Sequence, residues 1–290
     1  MNEPASLNPA LPAVEATLRT ALGEHLRIVS ADPVGGDSIH TALRLQDASG
    51  ARFFAKLAPA AQAPMFEAEA DGLAAIATSG SLRTPAVIAL GADDAHAFLV
   101  LEWLDLQPLT SATDGARFAE ALVALHRNVG EHFGWPRDNF IGRTPQANAE
   151  RDNWARFFVE QRLRPQFARA RAQGFDVELQ RQADRLLDRV PALFLDYRPP
   201  ESLLHGDLWH GNAAVLADGT PVVFDPAVHR GDRESDLAMS ELFGGFPAAF
   251  YAAYRCAWPL HEDYEQRKPL YSLYHVLNHL NLFGRAYLRE

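Results

Sequence analysis

Three oxygen-bearing side chains stand out in the last third of the sequence, because each follows or interrupts a short apolar run. They are Asp207, Asn212 and Asp225. A carboxylate can accept the proton of an attacking hydroxyl, and an amide oxygen with a second carboxylate forms a ligand set that suits Mg²⁺. Transfer of a γ-phosphoryl group from a nucleotide needs this combination, since that reaction depends mainly on positioning and charge neutralisation.

The spacing of these residues supports the same chemistry. Asp207 and Asn212 keep the separation of the kinase catalytic loop, His-x-Asp-Leu-x-x-x-Asn, and Asp225 follows the next strand-like run, at the place of a metal-binding aspartate. We therefore predict Asp207 as the catalytic base and Asn212 and Asp225 as metal ligands. The alternative is an ordinary His-Gly-Asp turn with an aspartate that only ends a strand.

A hydrolase is a second interpretation of the same segment. Residues 206–211 look like the Gly-Asp-x-His-Gly signature of binuclear metallophosphatases, and Asp94 with His96 supplies an Asp-x-His pair. The first motif, however, contains an extra residue, and the second lies in a polar turn, whereas ligands of a two-metal site should project from strand ends into one cleft. We therefore favour phosphoryl transfer and interpret His210 as a surface or substrate-facing residue.

The size and composition of the chain limit its class. A chain of 290 residues with 48% hydrophobic residues can form a two-lobed enzyme with a sizeable core. The net charge of −10 argues against nucleic-acid or anionic-membrane partners. We expect no membrane span and no signal peptide in residues 1–12. The single cysteine, Cys256, cannot form an internal disulfide, so we expect a reducing, cytoplasmic compartment.

Apolar periodicity divides the chain into a strand-rich first part and a helical remainder. The first part has helical periodicity at residues 12–26 and 64–77 and strand-like runs at 26–34, 39–46, 51–57, 86–90 and 97–101. The remainder has helical periodicity at residues 117–129, 154–172, 178–190, 250–258 and 270–283. We predict an α+β, two-lobed fold, with a nucleotide-binding N-terminal lobe over residues 1–103 and a mainly helical catalytic and substrate-binding lobe over residues 104–290.

The first part of the chain offers residues for nucleotide phosphates. A turn at Gly35 and Gly36 could cover them, although it lacks the full Gly-x-Gly-x-x-Gly spacing and could be a plain hairpin turn. Lys56 ends an apolar strand, where a kinase pairs a lysine with the phosphates and with a helix carboxylate. Glu67 and Glu69 lie about 200° apart on the following helix, so only one can face Lys56. We choose Glu69.

With these residues in place, the sequence resembles the fructosamine kinase (ketosamine 3-kinase) family, a small-molecule branch of the protein-kinase-like, aminoglycoside-phosphotransferase-like fold. The resemblance covers nearly the whole chain. It includes residues 66–73 and 133–142, and the later segments, at residues 231–239, 242–246 and 275–284, are the most particular to the family. Residues 205–212 and 225–227 complete it.

The resemblance implies ATP-dependent phosphorylation of the sugar 3-hydroxyl of a small ketosamine, a fructosamine or ribulosamine, in a deglycation repair role. The phosphorylated adduct would then be unstable and release its amine. In addition to the roles above, the resemblance implies an adenine pocket lined by Glu102, Trp103 and Leu104. Trp209 and His279 are candidate sugar contacts, although each could instead be a packing residue.

Several features bear on how far this resemblance reaches. Only residues 226–233 separate Asp225 from the next helical run, so a long loop for docking peptides has no room. Some relatives carry a redox-responsive cysteine in the glycine turn, whereas this chain has Asp37 and Ser38 there. The pair His229 and Arg230 occupies a segment that is often aromatic in relatives.

Other functions stay open. A kinase of an aminoglycoside, choline or homoserine would use the same catalytic residues, and a non-catalytic nucleotide or sugar-amine binder is a further alternative. The favoured sugar, the amine and the oligomeric state are not fixed by the residues. Asp236 lies eleven residues after Asp225, and we predict that it anchors the catalytic loop rather than binding metal.

Overall fold

The fold is taken from a computed structural model, which describes residues 8–35, 40–175 and 177–289. The chain forms two compact units. The first consists of Met1–Ala74 with Thr84–Asp105, and the second of Ala75–Arg83 with Leu106–Glu290. The lobe boundary between residues 103 and 104 stays a prediction. No helix among the described residues is long and apolar enough to cross a membrane.

The first unit is built on a five-stranded antiparallel sheet with strand order β1-β2-β3-β5-β4. Its strands are β1 (Ile28–Pro33), β2 (Thr41–Asp47), β3 (Arg52–Pro59), β4 (Val87–Ala92) and β5 (His96–Glu102). Helix α1 (Leu11–Leu22) precedes the sheet, and α2 (Ala63–Thr78) follows β3 after a 3₁₀ turn, Ala60–Gln62. The predicted helices and strands of this unit are confirmed to within a few residues. The opening helix ends earlier than predicted, at Leu22, because Gly23 has a φ of 119°.

Each face of this sheet has its own apolar core. Alternate residues of β5 go to the two cores, with Phe98 and Val100 in one and Leu99 and Leu101 in the other. Helix α1 contributes to the first core and α2 to the second. Strands covered on both faces are expected to be apolar throughout, which explains why β3 and β5 appear in the sequence as continuous apolar runs.

The second unit is mainly helical, as predicted. Its helices are α3 (Ala112–His126), α4 (Trp154–Phe157), a π-helical segment (Phe158–Leu163), α5 (Arg164–Ala172), α6 (Val177–Arg189), α7 (Glu234–Leu242), α8 (Ala248–Ala257) and α9 (Tyr264–Phe283), with 3₁₀ turns at Val190–Phe194 and Arg285–Arg289. Its strands are β6 (Gln107–Pro108), β7 (Asn139–Ile141), β8 (Thr144–Gln146), β9 (Ser202–Leu204), β10 (Ala213–Val215), β11 (Pro221–Val223) and β12 (His229–Gly231).

Two apolar cores hold these helices. One joins α3 and α8 through Phe118 and Phe250, and the other joins the π-helical segment and α9 through Phe158 and Tyr271. The ladder of β7 with β8 was not predicted from the sequence. Strands of three residues are too short to show a period in the sequence.

Two small antiparallel sheets of short strands position the predicted catalytic residues. Strand β12 pairs with β9, and β10 pairs with both β11 and β6, all antiparallel. Asp207 and Asn212 therefore lie in the connection from β9 to β10, and Asp225 lies in the connection from β11 to β12. The two connections leave the same small group of strands, so the sheet pairing sets the distance between them.

Candidate active site

The loop that carries Asp207 turns at Gly206. This glycine has a φ of 83°, and a Cβ built on it would lie 2.1 Å from the carbonyl oxygen of Ala227. A side chain would therefore meet left-handed strain and a backbone atom at once. The turn brings the loop against the segment that follows Asp225, and the amide of Ala227 donates to the carbonyl of His205 at 2.8 Å.

Asp236 anchors this loop by hydrogen bonds to its backbone. Its carboxylate accepts from the backbone amides of His205 at 2.8 Å and Gly206 at 2.9 Å. His126 Nε2 lies 3.2 Å from the same carboxylate. Burial opposes ionisation of Asp236, but the hydrogen bonds from His126 and the loop amides outweigh it and lower the pKa of Asp236. These contacts support the predicted role of Asp236 as an anchor of the loop.

The imidazole of His205 joins the loop to the end of β11. Its Nε2 lies 3.0 Å from the carbonyl oxygen of Phe224, and its Nδ1 lies 3.3 Å from the amide nitrogen of Asp207. Because Nδ1 must accept from that amide, Nε2 carries the proton and donates to Phe224. Burial lowers the pKa of His205, which keeps the ring in this neutral form.

Asp207 is held by the other end of its own loop. The side-chain amide of Asn212 donates to the backbone carbonyl of Asp207 at 2.9 Å and to its Oδ2 at 3.3 Å. Burial, followed by the charge of Asp225, raises the pKa of Asp207 to about 7. A general base works best when its pKa lies near the working pH, so the environment of Asp207 suits proton transfer from a hydroxyl.

Asn212 and Asp225 are the oxygen donors that could hold a divalent cation. The amide of Phe224, next to Asp225, donates to the carbonyl of Asn212 at 3.2 Å. Asn212 uses its nitrogen for Asp207, so its Oδ1 remains the side-chain atom able to bind a cation. Asp225 has a φ of 56°, an uncommon conformation for a residue other than glycine. Amide and carboxylate oxygens are the donors that Mg²⁺ takes together with phosphate oxygens, so these residues fit that ion.

Trp209 and His279 are linked by a phenylalanine that the sequence did not single out. The ring of Phe243 lies with its centroid 6.1 Å from that of Trp209 and 4.7 Å from that of His279. All three side chains are partly exposed. The structure therefore brings both predicted sugar contacts into one aromatic group, although their role stays a prediction.

His275 is a second residue that the sequence did not single out, and it lies beside Asp207. His275 Nδ1 is 3.9 Å from Asp207 Oδ1, whereas His279, one turn further along α9, has its Nδ1 2.8 Å from the backbone carbonyl of His275. The signal for both missed residues was present in the sequence, because Phe243 and His275 belong to segments on which the family resemblance rests.

In the first unit, Lys56 and Glu69 form an ion pair. Lys56 Nζ lies 2.9 Å from Glu69 Oε1, and the two side chains are 4% and 12% exposed. Lys56 lies within the sheet, opposite Leu99 of β5, and Glu69 comes from α2. Glu67, the alternative partner, is exposed. The pairing chosen from helical geometry is thus present, and its use in binding phosphates stays a proposal.

The other residues that we predicted to bind the nucleotide are Gly35, Gly36 and the segment from Glu102 to Leu104. Gly35 is exposed, and Gly36 lies outside the described residues. Glu102 ends β5, where its amide donates to the carbonyl of Ala86 at 2.9 Å. Trp103 and Leu104 follow, both partly buried, and the indole of Trp103 donates to Asp105 at 2.9 Å.

Known proteins resemble this chain in sequence. A model of the Fructosamine kinase family matches residues 10–290. A probable ketoamine kinase of Synechocystis sp. is 44% identical over 269 residues, which cover 92% of this chain and 90% of the relative. A probable ketoamine kinase of Vibrio cholerae is 38% identical over 280 residues, 96% of each chain.

Solved structures give the same result. A crystal structure from Haemophilus somnus 129PT, named "putative fructosamine-3-kinase", has a TM-score of 0.88 and 30% identity over 95% of this chain and 93% of that chain. An aminoglycoside-3'-phosphotransferase of type VIII has a TM-score of 0.56 and 21% identity over 90% of this chain and 97% of that one, and it shows the fold alone. The predicted fold class and family resemblance are both confirmed. With a family match along almost its whole length, this kinase-fold phosphotransferase belongs to the fructosamine kinase family.

Proposed function

We propose that this protein uses ATP to phosphorylate the sugar 3-hydroxyl of a small ketosamine, either a fructosamine or a ribulosamine. The observation that carries the proposal is the environment of Asp207, a carboxylate held at one oxygen by Asn212 and raised in pKa to about 7 by burial and by Asp225. Two relatives that are named probable ketoamine kinase support the substrate class.

Asp207 would act as the base. As the sugar oxygen approaches the γ-phosphorus, its proton would pass to the carboxylate of Asp207. The new oxygen–phosphorus bond would form while the bond from the γ-phosphorus to the bridging oxygen of ADP breaks. Asn212 would restrain one oxygen of this carboxylate during the step, because its amide donates to both the backbone carbonyl and Oδ2 of Asp207.

Asn212 Oδ1 and the Asp225 carboxylate would hold Mg²⁺. A bound Mg²⁺ neutralises phosphate charge. The two connections that carry these residues are joined by the hydrogen bond from Phe224 to Asn212, so the donors would keep their spacing through the reaction. A site of few protein donors is what Mg²⁺ requires when phosphates and water complete its shell.

The first unit would bind the nucleotide. Lys56, held by Glu69, would bind the phosphates, and the turn at Gly35 and Gly36 would cover them. The segment Glu102, Trp103 and Leu104 would contact adenine. The ion pair is nearly buried, so Glu69 would keep the ammonium of Lys56 in place before ATP arrives.

Trp209 and His279 would contact the sugar-amine. The amine of a ketosamine is cationic near neutral pH, and aromatic rings attract such a cation through their faces. The group of Trp209, Phe243 and His279 would therefore suit the junction of sugar and amine. We further propose a deglycation repair role in the cytoplasm. The exposed Cys256, the one cysteine of the chain, agrees with a reducing compartment.

The test is ATP consumption in the presence of Mg²⁺ with ribulose-lysine, fructose-lysine and an aminoglycoside as acceptors. We expect turnover of a ketosamine that is lost in Asp207→Asn, and the ranking of the two ketosamines will give the preferred sugar. Phosphorylation of the aminoglycoside with neither ketosamine turned over would contradict the substrate class and leave the phosphotransferase chemistry in place. ATP binding without turnover of any acceptor would favour a non-catalytic binder.

A further inference from the structure

A buried histidine faces the proposed base from α9. His275 is 4% exposed, and its Nδ1 lies 3.9 Å from Oδ1 of Asp207. Among the residues that the structure describes, this Nδ1 has no hydrogen-bond partner. A buried donor or acceptor left in this condition costs about 1–3 kcal/mol, so its position needs a physical reason.

The two oxygens of Asp207 have different neighbours. Oδ2 accepts from Asn212 at 3.3 Å, and Oδ1 faces His275. A carboxylate held at one oxygen can still rotate about its Cβ–Cγ bond, whereas a donor at each oxygen fixes its plane. The histidine is therefore placed where it can complete the orientation that Asn212 begins.

The protonation state of the His275 ring decides what kind of contact the ring can make with Asp207. Burial, followed by the charge of His279, lowers the pKa of His275 to about 3. The ring is then neutral near pH 7, and its contact with Asp207 is a hydrogen bond from a neutral N–H rather than an ion pair. Such a bond takes no charge from the carboxylate, which must remain able to accept a proton.

The distance of 3.9 Å is too long for a hydrogen bond. Hydrogen bonds at catalytic groups are often long before substrate binds and shorten in the complex. His275 also lines an internal cavity of about 10 Å³ together with Arg162, Gly206 and Tyr274. This free volume leaves the His275 ring room for a small shift.

We propose that His275 is a positioning residue for the base, donating from Nδ1 to Oδ1 of Asp207 in the substrate complex and fixing the carboxylate toward the reacting hydroxyl. This inference rests on the proposed role of Asp207. His275 touches neither substrate nor nucleotide in this scheme, and it acts through Asp207 alone.

The kinetic test compares His275→Leu with His275→Asn. The leucine variant removes the donor, and we expect kcat to fall about 10- to 100-fold, the usual result of a small misplacement of a reacting group, with KM for ATP and ketosamine within about twofold of wild type. Asparagine can donate from close to the position of Nδ1, so His275→Asn should recover most of the loss. In an Asp207→Asn background, His275→Leu should have no further effect.

The matched control is Asn278→Leu on the same helix. Asn278 is 3% exposed and accepts from Gln166 at 3.2 Å, so its replacement also removes a buried polar group from α9. We expect it to lower the melting temperature and leave kcat unchanged below that temperature. An equal fall of kcat in Asn278→Leu and His275→Leu would show a general packing effect and overturn the proposal.

A spectroscopic test needs no substrate. In protein labelled with ¹⁵N-histidine, long-range ¹H–¹⁵N spectra show which ring nitrogen carries the proton, and His275→Asn assigns the signal. We expect the Nδ1–H form, and the Nε2–H form would overturn the proposal. Failure of wild type to turn over any ketosamine would instead contradict the proposed function, so the two results are separable.

Discussion

Asp207 carries the largest testable consequence of a single side chain. Burial and Asp225 raise the pKa of Asp207 to about 7, and Asp207→Asn keeps its size while removing the proton acceptor. We expect this variant to bind ATP as wild type does and to turn over about 10²- to 10⁴-fold more slowly. Calorimetric titration with ATP and a coupled assay of ADP release measure the two quantities.

Asp218→Asn is the matched control. Asp218 is exposed and accepts from the amide of Thr220 at 2.9 Å in the turn after β10, and its replacement should change neither quantity. Loss of ATP binding in Asp207→Asn alone would assign that carboxylate to metal coordination.

The three catalytic and metal-binding residues predicted from sequence share one property, which is that local spacing identifies them. Asp207 and Asn212 lie on one loop, and Asp225 ends the next strand. His275 comes from α9 and Phe243 follows the end of α7, both far along the chain. His275 and His279 lie one turn apart on α9, and the rotation of that helix about its axis decides which ring reaches the loop. Packing sets that rotation, so the presence of both histidines in a family-like segment does not show which of the two rings reaches the loop.

At the scale of elements, the connection from β9 to β10 depends on Gly206. Gly206→Ala would add a methyl group 2.1 Å from a backbone oxygen, so we expect it to lower the free energy of unfolding by several kcal/mol, on the order of the larger overpacking effects, and to abolish activity. Urea unfolding and the ADP assay measure both effects.

Gly174→Ala gives the comparison for that prediction. Gly174 also has a positive φ, 75°, but no atom lies within 4 Å of an added Cβ. We expect a loss of only about 1–2 kcal/mol, the cost of left-handed backbone alone, and full activity. Similar losses in the two variants would mean that the segment at Ala227 moves aside freely.

The anchor of the same loop is Asp236. Asp236→Ala leaves the buried amides of His205 and Gly206 without their acceptor, and we expect the free energy of unfolding to fall by about 2–5 kcal/mol. Asp152→Ala, at a side chain that is 88% exposed, should have little effect. An unchanged melting temperature combined with lost Mg²⁺ affinity in Asp236→Ala would show that Asp236 is a metal ligand.

Some secondary-structure elements can be predicted from the sequence better than others. Helix α3 begins at Ala112 rather than at the predicted residue 117, because Ser111 accepts from the amide of Asp114 at 3.0 Å. A Ser-x-x-Asp signal of this kind was readable. The π-helical segment Phe158–Leu163 could not be predicted from the sequence, because widening one turn of a helix leaves its apolar stripe almost unchanged.

For the molecule as a whole, buried histidines and carboxyls set the response to acid. Burial lowers the pKa of four described histidines, His126, His205, His229 and His275. As the pH falls below about 6.5, these rings take protons in the unfolded chain and not in the folded one, so stability decreases. The raised pKa values of Asp207 and Asp232 instead increase stability as the pH falls. The four histidines outnumber these two carboxyl groups, so we expect a net loss of stability.

His229→Gln tests this balance. Burial, then the charge of Arg162, lowers the pKa of His229 to about 3, and glutamine takes no proton. Between about pH 6 and pH 4 we expect the wild type to lose stability more steeply than the variant, by up to about 1.4 kcal/mol per pH unit. Urea unfolding across this range gives both slopes, and parallel slopes would show that His229 takes up a proton in the folded protein.

The hydrogen bonds around Gly206 also determine how the site can fail. The amides of His205 and Gly206 end on Asp236, and the amide of Ala227 ends on the carbonyl of His205. These hydrogen bonds join the loop to Asp236 and to the segment beyond Asp225, so opening one of them weakens the support of the others. We expect these amides to exchange with solvent in a single cooperative opening. The base and the segment beyond Asp225 would consequently lose their order together, and a partly active, half-formed loop would not accumulate.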